Sequence, residues 1–167
     1  MARCYRIMAI APLFLRAPAG HTGRMFFHPC RSFQMPSLVT TVAPAPSAAA
    51  LAHFEHSLQF ETDCWDVHDA LSSGQPDFVL LDVRSAEHYA AGHVPGATHL
   101  LRGKMIESKL ADYPPDTIFV TYCAGPHCNG AQRAAIRLAQ LGRPVKIMIG
   151  GITGWVDEGF ALEQPQT

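Results

Sequence analysis

Two stretches of the chain carry almost no charge and no helical spacing. Phe78-Val79-Leu80-Leu81-Asp82-Val83 is a continuous apolar run with one acid near its end. Thr117-Ile118-Phe119-Val120-Thr121-Tyr122 is rich in β-branched and aromatic residues. Runs of this kind fit strands buried on both faces of a parallel sheet. Shorter strands are expected at Leu58–Thr62, Thr98–Leu101 and Val145–Ile149.

Between these runs the period changes. Ala131, Ala134, Ala135, Leu138 and Leu141 recur at helical spacing, and Gly142 and Pro144 close the segment. Ser47–Leu58 reads as a helix with Ser47 as its N-cap, and Cys64–Leu71 as one capped by Asp63. One or two turns are expected over Ser85–Ala91, a helix over Lys104–Asp112 stopped by Pro114-Pro115, and a last short helix through Trp155. Strands alternating with helices imply right-handed crossovers. The pattern therefore predicts an α/β domain with a mainly parallel sheet of about five strands, flanked by helices.

The 167 residues are 48% hydrophobic and 16% charged, enough for one domain with a tail. The net charge of −1 hides an asymmetry. Residues 1–45 hold five Arg and no Lys or acid, which leaves 8 basic against 14 acidic groups in residues 46–167. Six of the 13 Pro fall in the first 46 residues. The chain thus divides into a basic, Pro-containing leader (1–45) and a globular body (46–165). The leader has three readings: a secretory signal (Ile7–Leu15, then Ala17-Pro18-Ala19), an organelle transit peptide, or a disordered or mis-started extension preceding Met35. Nothing in the balance of charge favours nucleic acid or an anionic membrane, and no apolar run is long enough to span a bilayer. Five scattered cysteines do not make a disulfide framework, so the body reads as reduced and cytoplasmic. The leader leaves a secreted or organellar form open.

Cys123 follows directly on the second apolar run, and a helix begins about seven residues later. Ligands of open α/β folds gather at the carboxyl ends of strands. A helix start offers unpaired N–H groups and the positive end of the dipole, which stabilise an anion such as a thiolate. Cysteines so placed can have pKa values lowered from about 8.5 to roughly 3.5–7.5. Ala124, Gly125, Pro126, His127, Asn129 and Gly130 form the candidate anion cradle around it. The competing reading is a small, buried, inert cysteine.

At this point the residues resemble a family. Leu81-Asp82-Val83-Arg84, then Glu87, then Gly92-His93-Val94-Pro95-Gly96-Ala97, resembles the first signature of rhodanese-like domains. Tyr122-Cys123 resembles the start of that family's active-site loop, and Gly150-Gly151 followed by Gly154-Trp155 its C-terminal signature. Order and spacing agree over about residues 58–162. The resemblance implies a sulfurtransferase in which Cys123 takes a sulfane sulfur from a small donor such as thiosulfate. It would pass that sulfur through a persulfide to a thiophilic acceptor: cyanide, a thiol or an acceptor protein. No cofactor is expected. Asp82, Arg84, Glu87 and His93 would be structural support near the site.

The chain also departs from the family pattern. Its loop is longer by one or two residues and contains no Arg or Lys. Longer loops in this fold occur in phosphatases and arsenate reductases, but the position of the phosphate-clamping Arg is occupied here by Asn129. An oxyanion enzyme and a non-catalytic binding module stand as alternatives. Cys128 is open to three roles: packing, resolving a Cys123 persulfide or sulfenic acid, or acting as the nucleophile itself. No metal site is expected from Cys123, His127 and Cys128, which lack a fourth ligand at zinc-like spacing.

Overall fold

The computed structural model describes residues 36–164. The readings placed on residues 1–35, including the signal-like run and Met35, lie outside the described residues. The chain divides into one unit spanning Met1–Ala43 and a second spanning Pro44–Thr167. The described part of the first holds one helical turn, α1 (Leu38–Thr41).

The second unit is built on a five-stranded parallel sheet. Its strands are β1 (Glu61–Thr62), β2 (Phe78–Asp82), β3 (Thr98–His99), β4 (Ile118–Tyr122) and β5 (Val145–Met148). The order is β1-β5-β4-β2-β3, with every pair parallel. The helices are α2 (Ser47–Ser57), α3 (Cys64–Ser72), α4 (Ala86–Ala91), α5 (Glu107–Leu110), α6 (Gly130–Gln140) and α7 (Gly151–Asp157), with a 3-10 turn at Arg102–Lys104. The α/β class and the flanked parallel sheet expected from the pattern are both present.

The two central strands bury both faces. Along β4, Phe119 packs in a cluster with Leu81, Met105, Leu110, Ala134 and Leu138. Val120 and Tyr122 enter the opposite cluster with Val67, Leu80, Met148 and Trp155. Cys123 belongs to the first cluster. The period of two thus aims Cys123 at α6 and Tyr122 away from it. Thr121 Oγ1 donates to Ala131 O at 3.2 Å, tying β4 to the first turn of α6.

Local chemistry explains several element boundaries. Asp63 caps α3, its carboxylate accepting from Asp66 N at 2.8 Å. Ser85 caps α4, accepting from His88 N at 3.4 Å. The expected helix over Lys104–Asp112 is shorter than its pattern. Met105 and Ile106 are extended, and α5 keeps only four residues. Met105 is fully buried and its carbonyl accepts from Arg137 Nε at 3.0 Å. Tertiary packing of that one residue overrides the helical spacing around it. The expected strand Leu58–Thr62 also shrinks, because Leu58, Gln59 and Phe60 donate back to Phe54, His56 and Ser57. No residue of α2 is buried, and Pro46 rather than Ser47 stands at its N-cap.

Candidate active site

Cys123 leaves the end of β4 and enters a loop that closes at Gly130, the first residue of α6. Cys128 doubles back onto it, and the two sulfurs are joined as a disulfide with Cα atoms 6.4 Å apart. Cys128 N donates to Gly125 O at 3.0 Å, which fixes the turn that brings the second sulfur home. Both sulfurs lie against the start of α6. A Cβ placed on Gly130 would sit 2.6 Å from Cys123 Sγ and 3.3 Å from Cys128 Sγ. Only glycine admits the helix start this close to the sulfurs, where the dipole favours a thiolate.

The other side of the loop is held by α7. Ile152 N donates to Cys123 O at 3.1 Å. Thr153 donates twice to Ala124 O, from its amide and its hydroxyl, each at 2.9 Å. The free amides of one helix start thus fasten the carbonyls at the head of the loop. Close approach is possible because of Gly150 and Gly151, which have φ of 84° and 59°. A Cβ on Gly151 would come 2.5 Å from Cys123 O and 2.9 Å from Gly125 N. In the sequence, the Gly150-Gly151 pair is the signal for this contact, but spacing alone does not assign Gly151 or Thr153 to the loop.

A cavity of about 200 Å³ opens beside the two cysteines. Gly125, Pro126, Ala131 and Gln132 line one side, and Ile147–Gly151 the other. Among the described residues no charged side chain lines it. Arg133 points to solvent from the exposed face of α6. His127 and Asn129 line an adjoining exposed depression. Another cavity, about 190 Å³, lies at the starts of β2 and β4 by Phe78 and Ile118 and contains no cysteine.

The candidate cradle is narrower than the six residues expected from the sequence. Pro126 has no N–H and can line the site but not donate. Cys128 N is taken by Gly125 O. The amides of the other five candidates, Ala124, Gly125, His127, Asn129 and Gly130, are not bonded to another backbone group of a loop or turn among the described residues.

Behind Cys123 lies a buried polar network. Asp82, opposite Tyr122 in register, is fully buried. Its carboxylate accepts from Tyr122 Oη at 2.8 Å, from Arg84 Nε at 3.0 Å and Nη2 at 2.6 Å, and from Arg84 N at 2.9 Å. Arg84 Nη2 also donates to Gly92 O at 2.7 Å, and Val94 N to Tyr122 Oη at 3.1 Å. Burial, then the negative charge of Asp82, pushes the Tyr122 phenol far above its ordinary value. For Arg84 burial pulls downward, but the hydrogen bonds and charge of Asp82 more than reverse it, and its pKa rises. His93 is buried, hydrogen-bonds Tyr89 O at 3.0 Å and stacks on the Tyr89 ring. Glu87, by contrast, stands exposed on the first turn of α4, outside this network. A hydrogen bond from Ser85 holds its carboxyl below the ordinary range. Trp155 is core, with Nε1 donating to Ala161 O.

Cys64 is buried and free, its thiol directed at Ile149 O and Gly151 O. Burial, with the charges of Asp63 and Glu158, pushes it up to about 11. That thiol has no share in thiolate chemistry at neutral pH.

The structure is a parallel-sheet α/β domain with a cysteine at the carboxyl end of a central strand, held between two glycine-opened helix starts. The model of the rhodanese-like domain matches residues 66–158, and the chain belongs to that family. The thiosulfate sulfurtransferase GlpE of Pseudomonas entomophila (strain L48) is 37% identical over 79 residues, 46% of this chain and 69% of that protein. The HTH-type transcriptional regulator Rv0324 of Mycobacterium tuberculosis (strain ATCC 25618 / H37Rv) is 36% identical over 88 residues. Those residues are 53% of this chain but 38% of the regulator, so the chain spans well under half of that relative's length. Among solved structures, the BH2092 protein of Bacillus halodurans is 36% identical with a TM-score of 0.68, over 71% of this chain and 87% of that one. Among the described residues, no helix is long and apolar enough to cross a membrane.

Proposed function

We propose that this protein is a sulfurtransferase whose Cys123 carries sulfane sulfur as a persulfide. The observation that carries the reading is the seat of Cys123: at the end of β4, against Gly130 at the start of α6, and open to a cavity. Membership of the rhodanese-like family and likeness to a thiosulfate sulfurtransferase support it.

The chemistry runs from the reduced site. The Cys123 thiolate attacks the outer sulfur of thiosulfate, a sulfur–sulfur bond forms, and sulfite leaves with the electron pair of the broken bond. Loop amides and the α6 dipole hold the persulfide's negative charge. A thiophilic acceptor, such as cyanide or a thiol, then attacks the outer sulfur and Cys123 leaves as thiolate. Asp82, Arg84 and Tyr122 act as positioning residues, fixing the strand end from which Cys123 projects.

The test is thiocyanate formation from thiosulfate and cyanide by reduced protein. Wild type turns over, and Cys123→Ser does not. Activity that survives Cys123→Ser but vanishes in Cys128→Ser would move the sulfur-carrying role to Cys128.

A further inference from the structure

We infer that Cys128 discharges the Cys123 persulfide, so that in the absence of an acceptor the site reduces sulfane sulfur to hydrosulfide. The inference rests on the reading of Cys123 as sulfur carrier and adds the fate of its sulfur.

Three observations converge. The Cα atoms of Cys123 and Cys128 stand 6.4 Å apart, within the span a disulfide bridges without backbone movement, and the sulfurs are paired. The Cys128 N–H to Gly125 O bond makes the turn that returns Cys128 to Cys123. Gly130 leaves open the space that both sulfurs occupy at the start of an eleven-residue helix. Cys128 is therefore built into the site rather than packed away from it, and both cysteines line the same cavity.

The step balances without any outside oxidant. The Cys128 thiolate attacks Cys123 Sγ, forming the Cys123–Cys128 bond. The bond from Cys123 Sγ to the outer sulfur breaks, and that sulfur leaves with the electron pair, taking up a proton as hydrosulfide. The persulfide is the oxidant: its outer sulfur is reduced, and the two cysteines are oxidised to a disulfide. The paired cysteines in the structure correspond to this discharged form. A second turnover requires a dithiol reductant, which reopens the disulfide by exchange. External acceptors compete with Cys128 for the persulfide, so Cys128 sets whether sulfur is transferred or released.

The experiment uses full-length protein, reduced and freed of reductant under anaerobic conditions. It is mixed with thiosulfate, or with benzenethiosulfonate as a donor of lower charge. Neither donor yields hydrosulfide itself, since the leaving groups are sulfite and benzenesulfinate. Wild type is expected to release one equivalent of hydrosulfide per chain and to end two hydrogens lighter, with no retained sulfur. Cys128→Ser and Cys128→Ala are expected to keep one added sulfur and to release hydrosulfide only when dithiothreitol follows. If wild type keeps the sulfur and releases no hydrosulfide, the inference is overturned, while the carrier role of Cys123 stands. If neither wild type nor either Cys128 variant takes up sulfur from either donor, the carrier role fails and this inference falls with it. The wild-type result decides the point even where a variant does not fold.

Discussion

The Tyr122 hydroxyl donates to the fully buried carboxylate of Asp82 at 2.8 Å, across the register that pairs the ends of β4 and β2. Tyr122 immediately precedes Cys123, so this bond fixes the strand end from which Cys123 projects. Tyr122→Phe removes a hydrogen bond to a charged group and leaves Val94 N without its acceptor. Stability should fall by about 1.5–3 kcal/mol. Asp82→Ala strips the partner from a guanidinium whose side chain is 9% exposed and should cost about 3–5 kcal/mol. Urea unfolding of the two variants checks the order. Equal, negligible losses would show that the network does not hold the strand end.

Gly130→Ala separates two effects of opposite sign. Alanine in a helix is favoured over glycine by about 0.8–1 kcal/mol. Here its Cβ would meet Cys123 Sγ at 2.6 Å, so one of the two must shift. The variant should fold but pair Cys123 with Cys128 poorly and lose most sulfur-transfer activity. Titration against a redox buffer, beside the cyanide assay, measures both. Gly151→Ala should be worse for folding, because φ of 59° and a Cβ 2.5 Å from Cys123 O act together.

Cys64 should be silent where the site cysteines react. Its thiol, pushed up to about 11, stays protonated at pH 8, and its alkylation should be roughly hundredfold slower than that of an ordinary cysteine. Trypsin separates it, on the peptide from 32 to 84, from Cys123 and Cys128 on the peptide from 110 to 133. Folded protein holds this proton after an unfolded cysteine, at about 8.5, has lost it. The contribution to stability is therefore whole below about pH 8.5 and is lost as pH rises towards 11. Rapid native alkylation of the 32–84 peptide at pH 8 would contradict this.

The uncharged cavity predicts poor use of a dianionic donor. Asn129→Arg places a guanidinium at the start of α6 beside the loop. A charge-assisted hydrogen bond worth about 1.5 kcal/mol would lower KM for thiosulfate roughly tenfold. KM for benzenethiosulfonate should change less. Equal shifts for both donors would mean that charge does not set donor preference.

Much of this was legible because the two central strands are buried on both faces. Continuous runs at Phe78–Val83 and Thr117–Tyr122 admit few other readings, and the turn glycines bracket them. The edge strands are shorter than their pattern: β1 and β3 keep two residues each, and Leu58 and Gln59 bond back into the end of α2. The break at Met105 came from its burial and its carbonyl bond to Arg137, contacts made across the fold and invisible in local spacing. In the site, the position of Cys123 followed from strand and helix alone. The meeting of Cys128 with Cys123 depends on the turn closed by Gly125 O and on the bare Cα of Gly130, and spacing alone left three roles open. Thr153 went unseen because its bonds to Ala124 O span 29 positions.

The most direct measurement locates the sulfur. Reduced Cys128→Ser protein is exposed to benzenethiosulfonate, alkylated and digested with trypsin, which leaves Cys123 as the one cysteine on the peptide from 110 to 133. The added sulfur should appear on that peptide in stoichiometric amount and be absent when cyanide is added before the alkylation. Sulfur found instead on the peptide carrying Cys64, or on no peptide while the protein remains folded, would contradict the assignment of Cys123 as carrier.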